Sequence, residues 1–485
     1  MDRSKKMKKY ISILVTLFTF TISYGQNEAQ IWYFGNGAGL DFNNGCVPTV
    51  LTDGAIDGYE GCATISDKLT GQLLFYTNSA NVWNRNHSIM PNGNLINGGN
   101  TISQVIIIQK PGFDNIYYII TSEVQSFSGQ GYRFHQVDMT LNGGLGGLTF
   151  KDSLLYSSPV TEKITAIKDA NGSDIWLIGH EYNSNKFLSF KVKSSGINTT
   201  PIISPIGKIH FDNMTFDAIG EMKASPNGGK LSVVTFNSPH IELFDFNNST
   251  GQVSNLVTIP EIGGSDSLGN ACGLYGLSFS SDNSKLYVSQ WQSINAGVSA
   301  KIIQFDISSN DSLNIINSRV NVYSTTSKNL YSLKLAPNEK IYVGQNLSNE
   351  YLGVINSPNV SGLGCNYIDD GLYLNGKYSS WGLNNLMEYN IYCNSVSIKE
   401  YSKINIAKIH PNPFSSWTTL NSTDQLINAT LTIKNSLGQT VKEIKYINGN
   451  TLTFSRDNLL SGLYFINLTQ DNCILFTEKI VIGLN

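Results

Sequence analysis

The residues of this chain that could do chemistry are polar side chains that recur at equivalent positions of an internal repeat. Three are carboxylates, and the others are an amide, an ammonium group and two phenols: Glu60, Glu162 and Glu221, then Gln104, Lys163, Tyr275 and Tyr331. Carboxylates that converge at one place can bind a cation or a sugar, or act as an acid and base pair. The alternative is that these side chains are solvated, or hydrogen-bonded to the backbone of neighbouring repeat units.

Short motifs that specify a cofactor or a metal are incomplete. Residues 371–378, GLYLNGKY, match a phosphate-binding loop until Tyr378, which stands where Ser or Thr would bind magnesium. His180 and Glu181 begin like a zinc-protease helix, but their flanks are strand-like. Residues 245–251 fit a hairpin turn better than a calcium loop. We therefore predict no cofactor, no metal and no dedicated catalytic motif.

Aromatic residues make up 11% of the chain, and exposed Trp and Tyr rings can stack on sugar rings. Trp32, Trp176 and Trp381 fall inside predicted strands and should pack between sheets. Trp83 and Trp291 lie beside polar turns, so we expect these two rings to be exposed and available to a ligand.

A strand, a turn rich in Asp, Asn, Pro or Gly, and a second strand recur six times. The first apolar residues after the turns are 43, 59, 56, 55 and 55 residues apart: Leu73, Ile116, Ile175, Leu231, Leu286 and Ile341. A further strand follows at matching offsets, at Val137, Val192, Phe246 and Ile307. Each unit is thus predicted to be a four-stranded antiparallel sheet. Such sheets cannot bury both faces alone, so they stack radially as the blades of a β-propeller.

Closure of the ring involves both ends of the repeat region. Residues 378–389, together with strands around 31–42, can build a seventh blade, which removes the free sheet edges. We predict an all-β fold with about seven blades, six being the alternative. In this fold the start of each innermost strand lies at the mouth of the central channel. The repeat places the seven polar residues named first at that mouth.

Residues 26–393 also contain phrases that resemble a known group of proteins: IWYFGNGAGLDFNNG, EGCATISDKLTGQLLFYTN, VWNRNHSIMPNG and WGLNNL. They resemble the N-terminal propeller of large surface proteins of Bacteroidota, often described as WD-type or lactonase-like propellers. That group has no agreed activity. The resemblance therefore implies a fold and a location, and no chemistry.

Residues 403–485 form a separate block of about seven short strand-like runs, which fits a small antiparallel β-sandwich. The ordered phrases PNPF, NSLGQ, LSGLY and TEKIVI resemble the type A sorting domain of the type IX secretion system. Eight residues carry this resemblance: Pro411, Asn412, Pro413, Gly438, Gly462, Tyr464, Glu478 and Lys479. The resemblance implies that the secretion machinery is a partner and that the protein is secreted or held at the outer cell surface.

The N-terminus agrees with export. Four lysines precede an apolar stretch at 11–22, and small residues follow, so we predict a signal peptide cleaved before Gln26. No later segment is long and apolar enough to cross a membrane. The formal net charge is −3 and only 14% of the residues are charged, which disfavours nucleic acid as a partner.

Six cysteines are spread along the chain without a CxxC pair, which argues against a zinc ribbon or a redox motif. Export makes disulfides possible, and Cys365 with Cys393 is the first pairing we expect. The alternative is that most cysteines are buried free thiols.

These observations predict four segments: a signal peptide (1–25), a propeller (26–393), a linker (394–402) and a sorting domain (403–485). We predict a non-catalytic secreted or surface protein whose propeller binds a glycan or another protein. The alternative is an extracellular enzyme, a polysaccharide hydrolase or lyase or a lactonase-like protein, with Glu60, Glu162 and Glu221 as its carboxylates. Paired carboxyl groups in a deep channel pocket would favour the enzyme.

Overall fold

The structure of the protein is a computed structural model, which describes residues 27–94, 96, 104–123, 129–211, 216–236, 240–260, 273–292, 298–346, 349–388, 407–435, 438–470 and 473–483. The chain forms two compact units, Met1–Val396 and Ser397–Asn485. The predicted signal peptide and the predicted linker lie outside the described residues, and Cys393 does as well.

The first unit contains seven antiparallel sheets, which we call blades 1 to 7 in chain order. Blades 1 and 2 have three strands each: β1 (Ile31–Phe34), β2 (Ala38–Asp41), β3 (Thr49–Leu51); β4 (Ala63–Ser66), β5 (Leu73–Thr77), β6 (Val82–Asn84). Blade 3 has four strands: β7 (Ile106–Gln109), β8 (Ile116–Thr121), β9 (Tyr132–Asp138) and β10 (Gly147–Tyr156). Blade 4 has five strands: β11 (Val160–Lys168), β12 (Ile175–Glu181), β13 (Ser184–Lys193), β14 (Gly196–Ile197) and β15 (Ile202–His210). Blades 5 to 7 have four strands each. Blade 5 consists of β16 (Met222–Ala224), β17 (Lys230–Val234), β18 (Ile241–Asn247) and β19 (Gln252–Ile259), and blade 6 of β20 (Leu274–Phe279), β21 (Lys285–Gln290), β22 (Ala300–Asp306) and β23 (Val320–Thr325). Blade 7 consists of β24 (Leu330–Leu335), β25 (Ile341–Gln345), β26 (Tyr351–Ile355) and β27 (Tyr367–Tyr373).

The helices described in this unit are short. They are one α-helix, α1 (Ser312–Asn317), and two 3-10 helices, Asn142–Gly144 and Gly362–Cys365. The Asp311 side chain caps α1 by accepting a hydrogen bond from the Asn314 N–H. Within the described part of the chain, none of the helices has the length and hydropathy that a transmembrane helix requires.

The predicted repeat is confirmed by the strand positions. The six apolar residues that follow the turns all lie in the second strand of blades 2 to 7. The turns form because Asp and Asn side chains bind the backbone of the turn itself. Asp67, for example, accepts hydrogen bonds from the N–H groups of Leu69 and Thr70 at 3.0 and 2.8 Å.

The apolar cores lie between neighbouring blades. Ile120 and Tyr132 of blade 3 pack with Ile164 and Leu177 of blade 4, and similar clusters join blades 4 and 5, 5 and 6, and 6 and 7. The ring closes where blade 7 meets blade 1. There the Trp32 and Tyr342 rings lie edge to face, with centroids 5.9 Å apart. The fold is a seven-bladed β-propeller.

The sequence predicts that residues 378–389 complete the blade that contains the strands around 31–42, which is blade 1. In their described part, 378–388, they form no strand of that blade, so this part of the predicted closure is wrong. Blade 1 consists of β1 to β3 alone. Residues 379–388, which we call the central segment, run along the inner strands of several blades. The segment forms parallel bridges to Cys62 beside blade 2 and to Ile107 of blade 3. The Asn384 Oδ1 accepts a hydrogen bond from the Thr64 N–H at 2.6 Å.

The second unit is a five-stranded antiparallel sheet: β28 (Ala407–His410), β29 (Trp417–Lys434), β30 (Thr440–Ser455), β31 (Gly462–Gln470) and β32 (Cys473–Ile482). The sequence predicts about seven short runs, whereas the structure has five strands, two of them long. Asn428 and Tyr446 illustrate the difference. Both have positive φ but lie inside the long strands β29 and β30, whose register shifts there. A bridge between Phe414 and Ile482 joins the first turn to the last strand and nearly closes the sheet into a barrel.

The cysteine prediction is wrong for Cys365. This thiol is free and buried in blade 7, packed among apolar residues of blades 6 and 7. Cys62 is also free and buried, whereas Cys46 is disulfide-bonded. Burial raises the pKa of the Cys365 thiol, which keeps it protonated and unreactive.

A glycine in the central segment tests how closely this segment is packed. A Cβ at Gly382 would lie 1.6 Å from the Glu60 backbone oxygen, so Gly382→Ala forces the segment away from blade 2. We expect the free energy of unfolding of the first unit to fall by roughly 2–3 kcal/mol, as measured by urea denaturation. Gly229→Ala is the matched control because its Cβ meets nothing closer than 3.4 Å. Equal stability of the two variants would contradict the tight packing.

Candidate functional site

The predicted polar residues lie where the repeat places them, at or just before the start of the innermost strands. Glu60 and Gln104 precede β4 and β7, Glu162 and Lys163 are in β11, Glu221 precedes β16, and Tyr275 and Tyr331 are in β20 and β24. All seven side chains are buried, with exposed fractions of 5% or less. They therefore do not line an open, solvent-filled channel.

Two of these residues are hydrogen-bonded to groups of the next two blades. The Gln104 Oε1 of blade 3 accepts hydrogen bonds from Ile164 of blade 4 and Met222 of blade 5, at 3.1 and 2.9 Å. Glu221, which precedes blade 5, accepts from the Leu277 N–H of blade 6 at 3.0 Å and from the Ser332 hydroxyl of blade 7 at 2.6 Å. A polar side chain buried in this way contributes stability because its hydrogen bonds are satisfied.

Three buried lysines are held in the same central region. Lys163 donates to the carbonyls of Asp217 and Ile219 at 2.7 and 2.6 Å, and burial lowers its pKa to about 7. Lys223 contacts the Glu221 carboxylate at 3.3 Å, and Lys334 contacts Glu388 of the central segment at 2.6 Å. The sequence analysis missed Lys223 and Lys334. The available signal was a lysine inside an otherwise apolar inner strand.

Tyr275 is hydrogen-bonded to one of the three predicted carboxylates, and the charges of all three act on its hydroxyl. The Tyr275 hydroxyl donates to the Glu60 carboxylate at 3.0 Å. Burial and the nearby charges of Glu60, Glu221 and Glu162 raise the pKa of Tyr275 well above its ordinary value. The phenol therefore stays protonated and acts as a hydrogen-bond donor. The structure thus brings the predicted residues together, but in a buried network.

Aromatic rings lie over this network. We call the cluster of Tyr59, Phe236, Tyr275, Trp291, Tyr331 and Trp381 the aromatic mouth. The Trp381 ring stacks on Tyr331 with centroids 4.7 Å apart, and it lies 5.0 Å from Tyr59 and 6.0 Å from Trp291. Tyr59, Trp291 and Trp381 are partly exposed, whereas Tyr275 and Tyr331 beneath them are buried. The mouth therefore has partly exposed indole and phenol rings.

The two tryptophans predicted to be exposed behave differently. Trp291 is partly exposed in the aromatic mouth. Trp83 is only 7% exposed and stacks on Tyr76 with centroids 5.4 Å apart, so the expected exposure is wrong for this ring. Trp381, which we expected inside a strand, instead lies in the central segment. Its surface position depends on a segment that has no regular secondary structure for a pattern to predict.

A cleft of about 630 Å³ lies at the opposite ends of the inner strands, near the last residues of β4, β7 and β11. Leu386, Met387, Lys68, Lys110 and Phe113 are among its lining residues. Two of its lysines already have partners, since Lys68 pairs with Asp114 and Lys110 lies over the Phe113 ring. The cleft is thus on the other face of the propeller from the aromatic mouth.

The second unit contains the residues that carry the sorting resemblance. Asn412 joins its two ends because its side chain donates to the Lys479 carbonyl at 2.8 Å and accepts from the Val481 N–H at 2.9 Å. Pro411 and Pro413 flank Asn412 and are exposed. The phrases PNPF and TEKIVI are therefore in direct contact.

The other sorting residues have structural positions in turns and strands. Gly438 completes a turn with Asn435 at positive φ, and Gly462 begins β31. The Tyr464 ring is buried and its hydroxyl donates to the Leu460 carbonyl at 2.9 Å. Glu478 pairs with Ile466 across β31 and β32 and is partly exposed.

Comparisons with known proteins agree with the two units. Residues 408–483 match the family described as secretion system C-terminal sorting domain. The protein is therefore a seven-bladed β-propeller that carries a type IX secretion sorting domain at its C-terminus. This domain implies interaction with the type IX machinery and secretion to the cell surface or outside. No curated protein was found to match the chain.

Several solved structures are similar to this chain. Two are provisionally named 6-phosphogluconolactonases. The one from Bacteroides uniformis has 14% identity and a TM-score of 0.43, and the match covers 72% of this chain and 98% of that chain. The one from Bacteroides fragilis has 10% identity and a TM-score of 0.45, and the match covers 74% of this chain and 98% of that chain. A third is PorZ of Porphyromonas gingivalis, a surface component of the type-IX secretion system, with 10% identity, 94% of this chain and 59% of that chain covered, and a TM-score of 0.35.

The role of Glu221 can be tested by stability. Glu221→Ala removes the carboxylate that pairs with the buried Lys223 ammonium and leaves the Leu277 N–H without its acceptor. We expect a loss of about 3–5 kcal/mol in the free energy of unfolding, measured by urea denaturation. Glu221→Gln should lose less because an amide oxygen can still accept, and Glu350→Ala, at an exposed carboxylate, should change little. A fully stable Glu221→Ala variant would contradict the structural role.

Proposed function

We propose that the protein is a non-catalytic binding protein, secreted or held at the cell surface, and that its aromatic mouth binds a glycan. The observation that carries this proposal is that Tyr59, Trp291 and Trp381 are partly exposed rings in one cluster beside a buried polar network. Sugar rings have apolar faces that pack on aromatic side chains, while their hydroxyl groups bind polar neighbours. A protein ligand is the alternative occupant of the same surface.

Two features support binding over catalysis. Glu221 is engaged by a backbone N–H, a hydroxyl and a lysine, so it is not available as an acid or a base. Tyr275 remains protonated and donates to Glu60, which fixes that carboxylate in place. One observation favours the alternative, an extracellular polysaccharide hydrolase or lyase or a lactonase-like enzyme. Glu60, Glu162 and Glu221 are all close enough to Tyr275 to raise its pKa.

A glycan array with the full chain tests this function, followed by titration calorimetry with the best ligand. We expect Trp381→Ala and Trp291→Ala each to weaken binding by roughly tenfold, which corresponds to about 1.4 kcal/mol of lost stacking. Circular dichroism of each variant verifies the fold.

Two controls locate the site. Trp417→Ala should bind normally because this ring is 65% exposed in the second unit. Lys110→Ala should also bind normally because it alters only the cleft on the other face. Undiminished binding by the Trp291 and Trp381 variants would contradict the proposed site. Turnover of a bound polysaccharide that Glu60→Gln or Glu162→Gln abolishes would favour the enzyme.

For export, we propose that residues 1–25 are a signal peptide, 26–393 the propeller, 394–402 a linker and 403–485 the sorting domain. The protein would then pass through the periplasm before the type IX step. The surface that joins PNPF to TEKIVI is the proposed recognition feature, because Asn412 holds the exposed prolines against the last strand.

Removal of residues 403–485 should leave the propeller in the periplasm, as measured by immunoblotting of periplasm and medium. Asn412→Ala should lower the secreted fraction, since it removes both hydrogen bonds that hold the turn. Leu460→Ala is the control because this side chain is 78% exposed and lies away from the turn in sequence. Normal amounts of the truncated protein in the medium would refute the sorting assignment.

A further inference from the structure

Two histidines and a glutamate from neighbouring blades form a buried cluster. His210 ends β15 of blade 4, while His240 precedes β18 and Glu242 lies in β18 of blade 5. One potential ligand atom from each residue lies within 4.8 Å of the other two. All three side chains are buried, with exposed fractions of 0, 3 and 0%. The histidines are far apart in sequence, so only the packing of blade 4 on blade 5 brings them together.

The imidazole rings in this region have nitrogens that the described residues leave unsatisfied. No partner in the described part of the chain bonds the His210 Nδ1 or either ring nitrogen of His180. The His180 ring stacks on His210, with centroids 3.9 Å apart and an angle of 18° between the planes. Buried polar atoms are normally hydrogen-bonded, because a lost partner costs free energy. Among the described residues, these imidazole nitrogens therefore have room for a further polar partner.

Glu242 is held in position for a shared ligand. Its Oε1 accepts a hydrogen bond from the Lys208 N–H at 2.7 Å, which orients the carboxyl group. Its Oε2 is hydrogen-bonded to the His210 Nε2 at 3.3 Å. Ligands about 2.0–2.1 Å from a tetrahedral zinc ion lie about 3.3 Å apart. This pair therefore already has the separation that zinc coordination requires.

Lys163 is a positively charged residue near the cluster, and its charge opposes the binding of a cation there. Its Nζ is bound by the carbonyls of Asp217 and Ile219, which direct the ammonium group toward the backbone. The Lys163 charge acts on His180, His210 and Glu242. A site with one carboxylate tolerates this cation because the Lys163 Nζ is hydrogen-bonded to two backbone carbonyls.

We propose that His210, His240 and Glu242 bind a divalent transition-metal ion, with zinc as the ion whose preference for imidazole and carboxylate ligands fits best. A water molecule completes the coordination and supplies a polar partner to the neighbouring rings. His180 stacks against His210 and is a positioning residue. The ion joins the last strand of blade 4 to blade 5, so its role is structural.

The test uses the full chain, purified without a histidine tag and treated with EDTA. Zinc chloride is then added, excess ion is removed, and bound zinc is measured by mass spectrometry. We expect about one zinc ion per chain and a rise in Tm of about 3 °C or more with excess zinc, reversed by EDTA. Absence of both zinc uptake and the Tm shift would overturn the proposal and indicate a hydrogen-bonded water at this position.

Variants assign the ion to the cluster. His240→Gln and Glu242→Gln should retain less than a tenth of the wild-type zinc and lose the Tm response. His135→Gln is the matched control because His135 is also fully buried, but lies in blade 3 and is hydrogen-bonded to Thr121. Folded His240→Gln and Glu242→Gln proteins that bind as much zinc as the wild type would overturn the assignment. If either variant fails to fold, the wild-type measurement decides alone.

Discussion

A polar side chain at the start of an inner strand that binds the next two blades is the interaction on which the propeller depends. Gln104 connects blade 3 to blades 4 and 5, and Glu221 connects the start of blade 5 to blades 6 and 7. The apolar clusters join only neighbouring blades. They therefore do not fix the orientation of a blade relative to the second blade after it. The hydrogen bonds do, because their geometry is directional. They also fill the axis with satisfied polar groups, which leaves ligand binding to the surface above.

The local part of the fold could be predicted from the sequence. Turn residues such as Asp67 and the apolar residues that follow them act within one hairpin, so a repeat of such phrases indicates blades. The positions of Glu60, Gln104 and Glu221 also follow from that repeat. Whether these side chains meet solvent or backbone depends on strands more than a hundred residues away, as in the bond between Gln104 and Met222. No pattern in the sequence contains that information.

The same limit explains the errors in the aromatic and histidine residues. Trp83 stands beside a polar turn, but Tyr76 of the adjacent strand covers it. Trp381 reads as part of a strand, but it belongs to a segment whose conformation is set by tertiary contacts alone. His180, His210 and His240 are spread over two blades, and their proximity follows from blade packing. In the second unit, Asn428 and Tyr446 have positive φ, which is common in turns, but both residues lie inside long strands.

The central segment connects the end of the propeller to its beginning, and this has a consequence for the order of assembly. Asn384 binds Thr64, which lies 320 positions earlier in the chain. Contacts so distant in sequence form late because a long loop must close before they contribute free energy. The inner strands of blades 2 and 3 therefore gain their last partners only after nearly the whole first unit has been synthesised. The sorting domain lies C-terminal to the central segment. A prematurely terminated chain that lacks the central segment therefore also lacks the sorting domain.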